Sequence, residues 1–97
     1  MIRHAALFRL KHAEGSVEEA GFLKANATLA AILGVQDFAL WREISPKNPF
    51  TFAVSMVFAD QAAYDAYNVH PDHVAFVRDR WLPEVAEFME HDTVNLV

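Results

Sequence analysis

Residues 63–81, AYDAYNVHPDHVAFVRDRW, decide how the chain folds. Tyr64 and Tyr67 are three apart, so on a helix they share one side. Pro71 cannot continue that helix, yet its fixed φ suits the first turn of a new one. His70-Pro71-Asp72-His73 therefore reads as a corner between two helices. Beyond it, His73, Val77 and Trp81 recur at four-residue steps and lie on one face. Tyr67 leads into the corner and His73 leads out of it, which lets their side chains converge. A phenol beside an imidazole serves acid–base chemistry or, equally, forms a satisfied polar pair in a core.

Upstream of the corner, Phe50, Phe52, Val54, Met56 and Phe58 alternate with Thr51, Ala53, Ser55 and Val57. One face is strongly apolar and the other uncharged, so this strand belongs inside a sheet covered on both sides. Asp60 then caps the helix that holds the tyrosines. Phe38, Leu40 and Ile44 mark an earlier strand, with Trp41 on its more polar side and a proline-bearing loop, Ser45–Pro49, after it. Near the start, Ile2, His4, Ala6, Phe8 and Leu10 form the apolar face of an opening strand, opposite Arg3, Ala5, Leu7 and Arg9. A histidine on such a face is usually a hydrogen-bonded core residue, and a pocket role is its alternative. Ser16 and Glu19 have capping-box spacing ahead of a helix over Val17–Leu33. Its expected stripe is Ala20, Leu23, Ala27 and Ala30, flanked by Phe22, Leu29 and Leu33, with Gly34 as a left-handed stop.

Downstream, Val74, Phe76, Val77, Trp81, Val85, Phe88 and Met89 read as one helical segment, kinked or divided by Pro83. Thr93–Val97 reads as a last strand. The order is β-α-β-β-α-β, an α+β ferredoxin-like antiparallel sheet with helices on one face, spanning residues 1–97 as a single domain. The other face needs a cover, and a second copy of the sheet is the economical one. A homodimer is expected, with Ala5, Trp41 and Val57 toward the partner.

Composition narrows the function. Apolar residues make up 54% and charged residues 22%, a surplus that fits apolar surface hidden against a partner. Thirteen acidic against eight basic residues leave a net charge of −5 and no basic stripe, which disfavours nucleic acid. With no cysteine there is no disulfide, thiolate metal site or thiol nucleophile. No apolar run reaches membrane-spanning length, and the N-terminal residues lack a signal peptide's plan, so a cytoplasmic protein with no membrane contact is expected. His70, Asp72 and His73 are close, but no zinc-type spacing surrounds them, and neither a metal nor a cofactor is expected.

His4, Gly34-Val35, the Phe52–Phe58 strand and above all Tyr67-x-x-His70-Pro71-x-His73, followed by Phe76 and Trp81, resemble the stress-responsive A/B barrel (Dabb) family. The likeness runs along essentially the whole chain and implies a dimeric α/β barrel. One member, a plant polyketide cyclase that forms olivetolic acid, has the same Tyr-x-x-His-Pro-x-His run and catalyses an intramolecular aldol cyclisation. That resemblance implies His73 as the base and Tyr67 as the group that orients substrate or stabilises an oxyanion. It also implies that His4 lies in the pocket, for which Phe52, Val54 and Trp81 are the further substrate-binding residues expected here. The plant enzyme has a further histidine where this chain has Phe52, which implies a more apolar pocket here.

Three readings follow. The chain is a cofactor-independent cyclase or isomerase acting on a carbonyl, polyketide-like substrate. Alternatively it holds a small apolar carbonyl-bearing ligand without turning it over. In the third reading it is a stress-associated structural dimer. A cavity beside His73 favours the first two, and tight filling by Phe8, Phe52, Met56 and Trp81 favours the third.

Overall fold

A computed structural model describes residues 1–97. Strand β1 (Ile2–Leu10) is the centre of the architecture. It pairs antiparallel with β3 (Phe52–Phe58) on one side and β4 (Val85–Val94) on the other, and β2 (Gln36–Arg42) pairs with β3, giving the order β2-β3-β1-β4. Because side chains alternate along a strand, this register fixes two faces. His4, Ala6 and Phe8 stand beside Met56, Val54 and Phe52 on one neighbour and beside Asp92, Glu90 and Phe88 on the other. That face is covered by the helices. The expected ferredoxin-like α+β fold is the one found.

Helix α1 (Val17–Ala27) starts at Ser16, whose Oγ accepts from the Glu19 N–H at 3.1 Å. The Glu19 carboxylate accepts from the Gly15 N–H at 3.2 Å, so the capping box closes one residue early. A 3₁₀ turn, Thr28–Ala31, tightens the end, and Gly34 adopts a left-handed φ of +93° only after it. The helix is thus shorter than Val17–Leu33. Its buried stripe also differs from the expected one: Glu19, Phe22, Asn26 and Leu29 face inward, while Ala20, Ala27 and Ala30 face solvent. Alanines are apolar but have little area to bury, so Phe22 and Leu29 decide the rotation.

Helix α2 (Gln61–Asn68) is capped by Asp60, whose Oδ1 accepts from the Ala63 N–H at 2.9 Å. Helix α3 (Pro71–Phe76) begins with Pro71 in its first turn and His70 as its cap. The His70 Nδ1 accepts from the Asp72 N–H at 3.1 Å, which is the reason for the His-Pro corner. The helix then widens into a π-helical turn, Val77–Trp81, closed by the Leu82 N–H on the Val77 carbonyl. Pro83 has no N–H to give and its ring crowds the carbonyl four residues back, so the preceding turn opens.

The chain leaves the helical path after Leu82–Glu84, and β4 runs from Val85 to Val94. Val85, Phe88 and Met89 therefore belong to a strand, not to the helical segment expected for them. Strand β2 likewise begins at Gln36, with a register break before Ala39 where Asp37 takes a φ of 48°.

The core is aromatic. Phe8 lies at its middle, its ring centroid 5.6 Å from Phe22, 5.6 Å from Phe52 and 5.0 Å from Trp81. On the opposite face of the sheet, Trp41, Ala53, Leu7 and Met89 form one cross-strand row by register. Trp41 is 56% exposed there and its Nε1–H donates to the Ser55 Oγ at 2.9 Å. Ala5 and Val57 are buried on this face. No helix is long and apolar enough to cross a membrane.

Candidate functional site

A cavity of about 260 Å³ lies between the inner face of the sheet and the helices. His4 reaches it from β1, Val54 from β3, Tyr67 from α2, His73 from α3, and Trp81 from the π-helical turn. These five of the expected site residues come together. Phe52 does not. It points inward, but two residues beyond Val54, where Phe8 already fills the space, and the Arg42 guanidinium covers its ring at 5.2 Å. It is a core residue outside the cavity.

The His73 imidazole lies against the Tyr67 ring, centroids 4.2 Å apart and planes tilted by 37°. This is ring-on-ring contact between two residues that both line the cavity. The His73 Nδ1 is 3.2 Å from the Asn68 carbonyl, which can only accept. Nδ1 therefore carries the proton, leaving the Nε2 lone pair free. Desolvation pushes the His73 pKa below its ordinary 6.5, outweighing the Asn68 carbonyl, which acts the other way. The ring is neutral near pH 7, the form a base requires.

Tyr67 is 2% exposed, and its hydroxyl has no hydrogen-bond partner in the chain. Burial, and then the Glu90 carboxylate, raise its pKa above the ordinary phenol value. It stays protonated, so it is a donor rather than a base.

His4 is held by groups from two elements. Its Nδ1 donates to the Asp92 Oδ1 at 2.6 Å, and the Tyr64 Oη is 3.0 Å from the same nitrogen. The Tyr64 hydroxyl donates to the other Asp92 oxygen at 2.8 Å. Burial first, and then this bond to Asp92, raise the Tyr64 pKa. With Nδ1 bound to a carboxylate, His4 too leaves its Nε2 free. His4, Glu90 and Asp92 also bring three possible metal-ligand atoms within 4.8 Å of one another. The short Nδ1–Asp92 distance is that of a hydrogen bond, whose proton stands where an ion would bind.

Sequence reasoning missed Asp92 and Glu90, gave Tyr64 no role, and left Asn26 unnoticed. The alternation of β4 was obscured because its inward positions, Phe88, Glu90 and Asp92, mix one aromatic with two carboxylates. An available signal was the pair of acidic residues two apart before a terminal apolar run. Asn26 could have been found as the one amide at helical spacing between Phe22 and Leu29.

The comparisons with known proteins bear on this geometry. A family model described as the stress responsive A/B barrel domain, Dabb, matches residues 2–95. The chain belongs to the Dabb family. A Dabb family protein with a ferredoxin-like fold from Mesorhizobium loti is 59% identical, over 99% of this chain and 97% of that one, with a TM-score of 0.96. A dimeric ferredoxin-like protein of unknown function from Thermobifida fusca is 26% identical, over 97% and 90% of the two chains, with a TM-score of 0.80. The hydroxynitrile lyase of Passiflora edulis shares the fold at a TM-score of 0.86 over 99% and 94%, but at 14% identity that likeness concerns the fold alone. No match was found among curated proteins.

Proposed function

We propose that this Dabb protein is a cytoplasmic homodimer that carries out cofactor-independent acid–base chemistry on a small carbonyl substrate. The observation that carries the reading is the pairing of a neutral His73, Nε2 free, with a protonated Tyr67 hydroxyl in one apolar-walled cavity. His73 Nε2 takes a proton from the carbon next to a carbonyl, forming imidazolium and enolate. Tyr67 donates a hydrogen bond to the enolate oxygen. When the substrate has a second carbonyl in reach, the enolate carbon attacks it and a C–C bond closes a ring. The imidazolium then returns its proton to the new alkoxide. No electrons are gained or lost, and no co-reactant is needed. This is the chemistry of a polyketide-type cyclase or isomerase, with His4, Val54 and Trp81 shaping the walls.

The dimer part of the proposal rests on the uncharged outer row of Trp41, Ala53, Leu7 and Met89 and on the dimeric Thermobifida fusca relative. Two such sheets face to face enclose that row and form a barrel.

The test is exchange of α-protons of a β-diketone in D₂O, followed by NMR. Wild type is expected to exceed background, and His73→Ala to lose about 10²–10⁴-fold of that excess. Tyr67→Phe is expected to slow exchange while keeping the fold. Wild-type exchange at background, or full exchange by His73→Ala, overturns the catalytic reading.

A further inference from the structure

The inward stripe of α1 contains a side chain that no contact explains. Asn26 is 0% exposed and stands between Phe22 and Leu29, lining the cavity that holds Tyr67 and His73. Both amide atoms, Nδ2 and Oδ1, are sealed from solvent without a hydrogen-bond partner, and no other side-chain polar atom without a partner is so fully sealed. Unpaired buried amides are costly, and nearly all such groups in folded proteins find partners. A leucine fills a similar volume without that cost. Glu19, the other polar residue on the stripe, is accounted for by its bond to Gly15. Asn26 has the features of a side chain kept for something that enters the cavity.

The amide's chemistry says what that is. It offers a donor and an acceptor side by side, so its complement is a carbonyl adjacent to an N–H or O–H. A plain ketone meets the N–H and leaves Oδ1 unpaired. A carboxylate does the same and brings a charge into an apolar wall. We propose that Asn26 is a specificity-determining residue that selects ligands with an apolar body ending in a carboxamide, lactam or hydroxy ketone. Its amide rotates to the cavity surface to meet that end. The inference rests on the cavity being a ligand site and deepens that reading by naming the ligand's polar end. The cavity holds on the order of nine water-sized groups at ~30 Å³ each, room for a short-chain body.

The experiment titrates the full-length protein by NMR with hexanamide, 2-heptanone and hexanoate, which are matched in non-hydrogen atoms. Wild type is expected to bind hexanamide about tenfold more tightly than the other two, the worth of one neutral hydrogen bond. Asn26→Leu is expected to lose that preference, binding hexanamide no more tightly than 2-heptanone. At the same protomer concentration its thermal midpoint should hold or rise, by up to about 4–8 °C. Equal binding of hexanamide and 2-heptanone by wild type, or a preference kept by Asn26→Leu, overturns the role of Asn26 and leaves the pocket reading standing. If no probe binds wild type, both fail. Should Asn26→Leu not fold, the side-chain amide resonance of Asn26 in wild type decides: it shifts on adding hexanamide, and a resonance that stays put overturns the proposal.

Discussion

Replacing Asp92 by asparagine tests how the cavity's second imidazole is held. The carboxylate accepts two donors, the His4 Nδ1–H at 2.6 Å and the Tyr64 Oη–H at 2.8 Å. Asparagine keeps the shape, but one of its two ends is a donor, so it cannot accept both. If its N–H₂ group faces His4, the imidazole must change tautomer and turn Nε2–H, not a lone pair, toward the cavity. A hydrogen bond to a charged group contributes about 1.5–3 kcal/mol when well buried. The Asp92 side chain is 41% exposed, which places its share at the low end. We expect Asp92→Asn to cost about 1–2 kcal/mol in denaturant unfolding at fixed protomer concentration. In ¹⁵N spectra of the imidazole, wild type should carry the His4 proton on Nδ1 and the variant on Nε2. A change below about 0.5 kcal/mol together with an unmoved tautomer would refute the reasoning.

Three further outcomes follow from the geometry. His70→Ala removes the acceptor for the Asp72 N–H and should cost about 0.5–2 kcal/mol, with α-proton exchange retained; a variant of unchanged stability but lost exchange would reverse the roles of the two histidines. Burial lowers the folded-state pKa of His73, so between that value and 6.5 the unfolded chain binds more protons than the folded one. Its stabilising contribution is complete above 6.5 and is lost as pH falls through the lowered value, and an NMR titration midpoint for His73 above 6.5 would contradict this. Tyr64 and Tyr67, the two tyrosines of the chain, both have raised pKa values. Native protein at about pH 11 should therefore show little phenolate absorbance, where two ordinary phenols would be largely ionised.

The fold was legible because its deciding signals are local. Alternation in β1 and β3, the Ser16 and Asp60 caps and the His70–Pro71 corner are each written within a few residues. They survive in the structure nearly as read. The same corner and strand brought out His4, Tyr67 and His73. What could not be read depends on partners far along the chain. Asp92 matters because β4 pairs with β1 and sets it beside His4, 88 residues away in sequence. Val85, Phe88 and Met89 keep helical spacing by accident, and only the π-helical turn before Pro83 shows that the helix is already ending. Asn26 was hidden because alanines on the neighbouring flank of α1 imitate an apolar stripe while burying almost nothing.

Strand β1 also governs how this protein tolerates change. His4 and Ala6 address the cavity, while Ala5 and Leu7, one position along, address the outer face. Adjacent codons thus specify unrelated traits. Substitutions at His4 or Ala6 can reshape the cavity without touching the outer face, and substitutions at Ala5 or Leu7 can reshape the outer face without touching the cavity. An insertion or deletion of one residue in the strand is a different matter, since a slip of one position sends every side chain to the opposite side. It would exchange His4 for Ala5 and forfeit both traits together. Strand β1 therefore tolerates a change in the identity of its residues better than a change in their number.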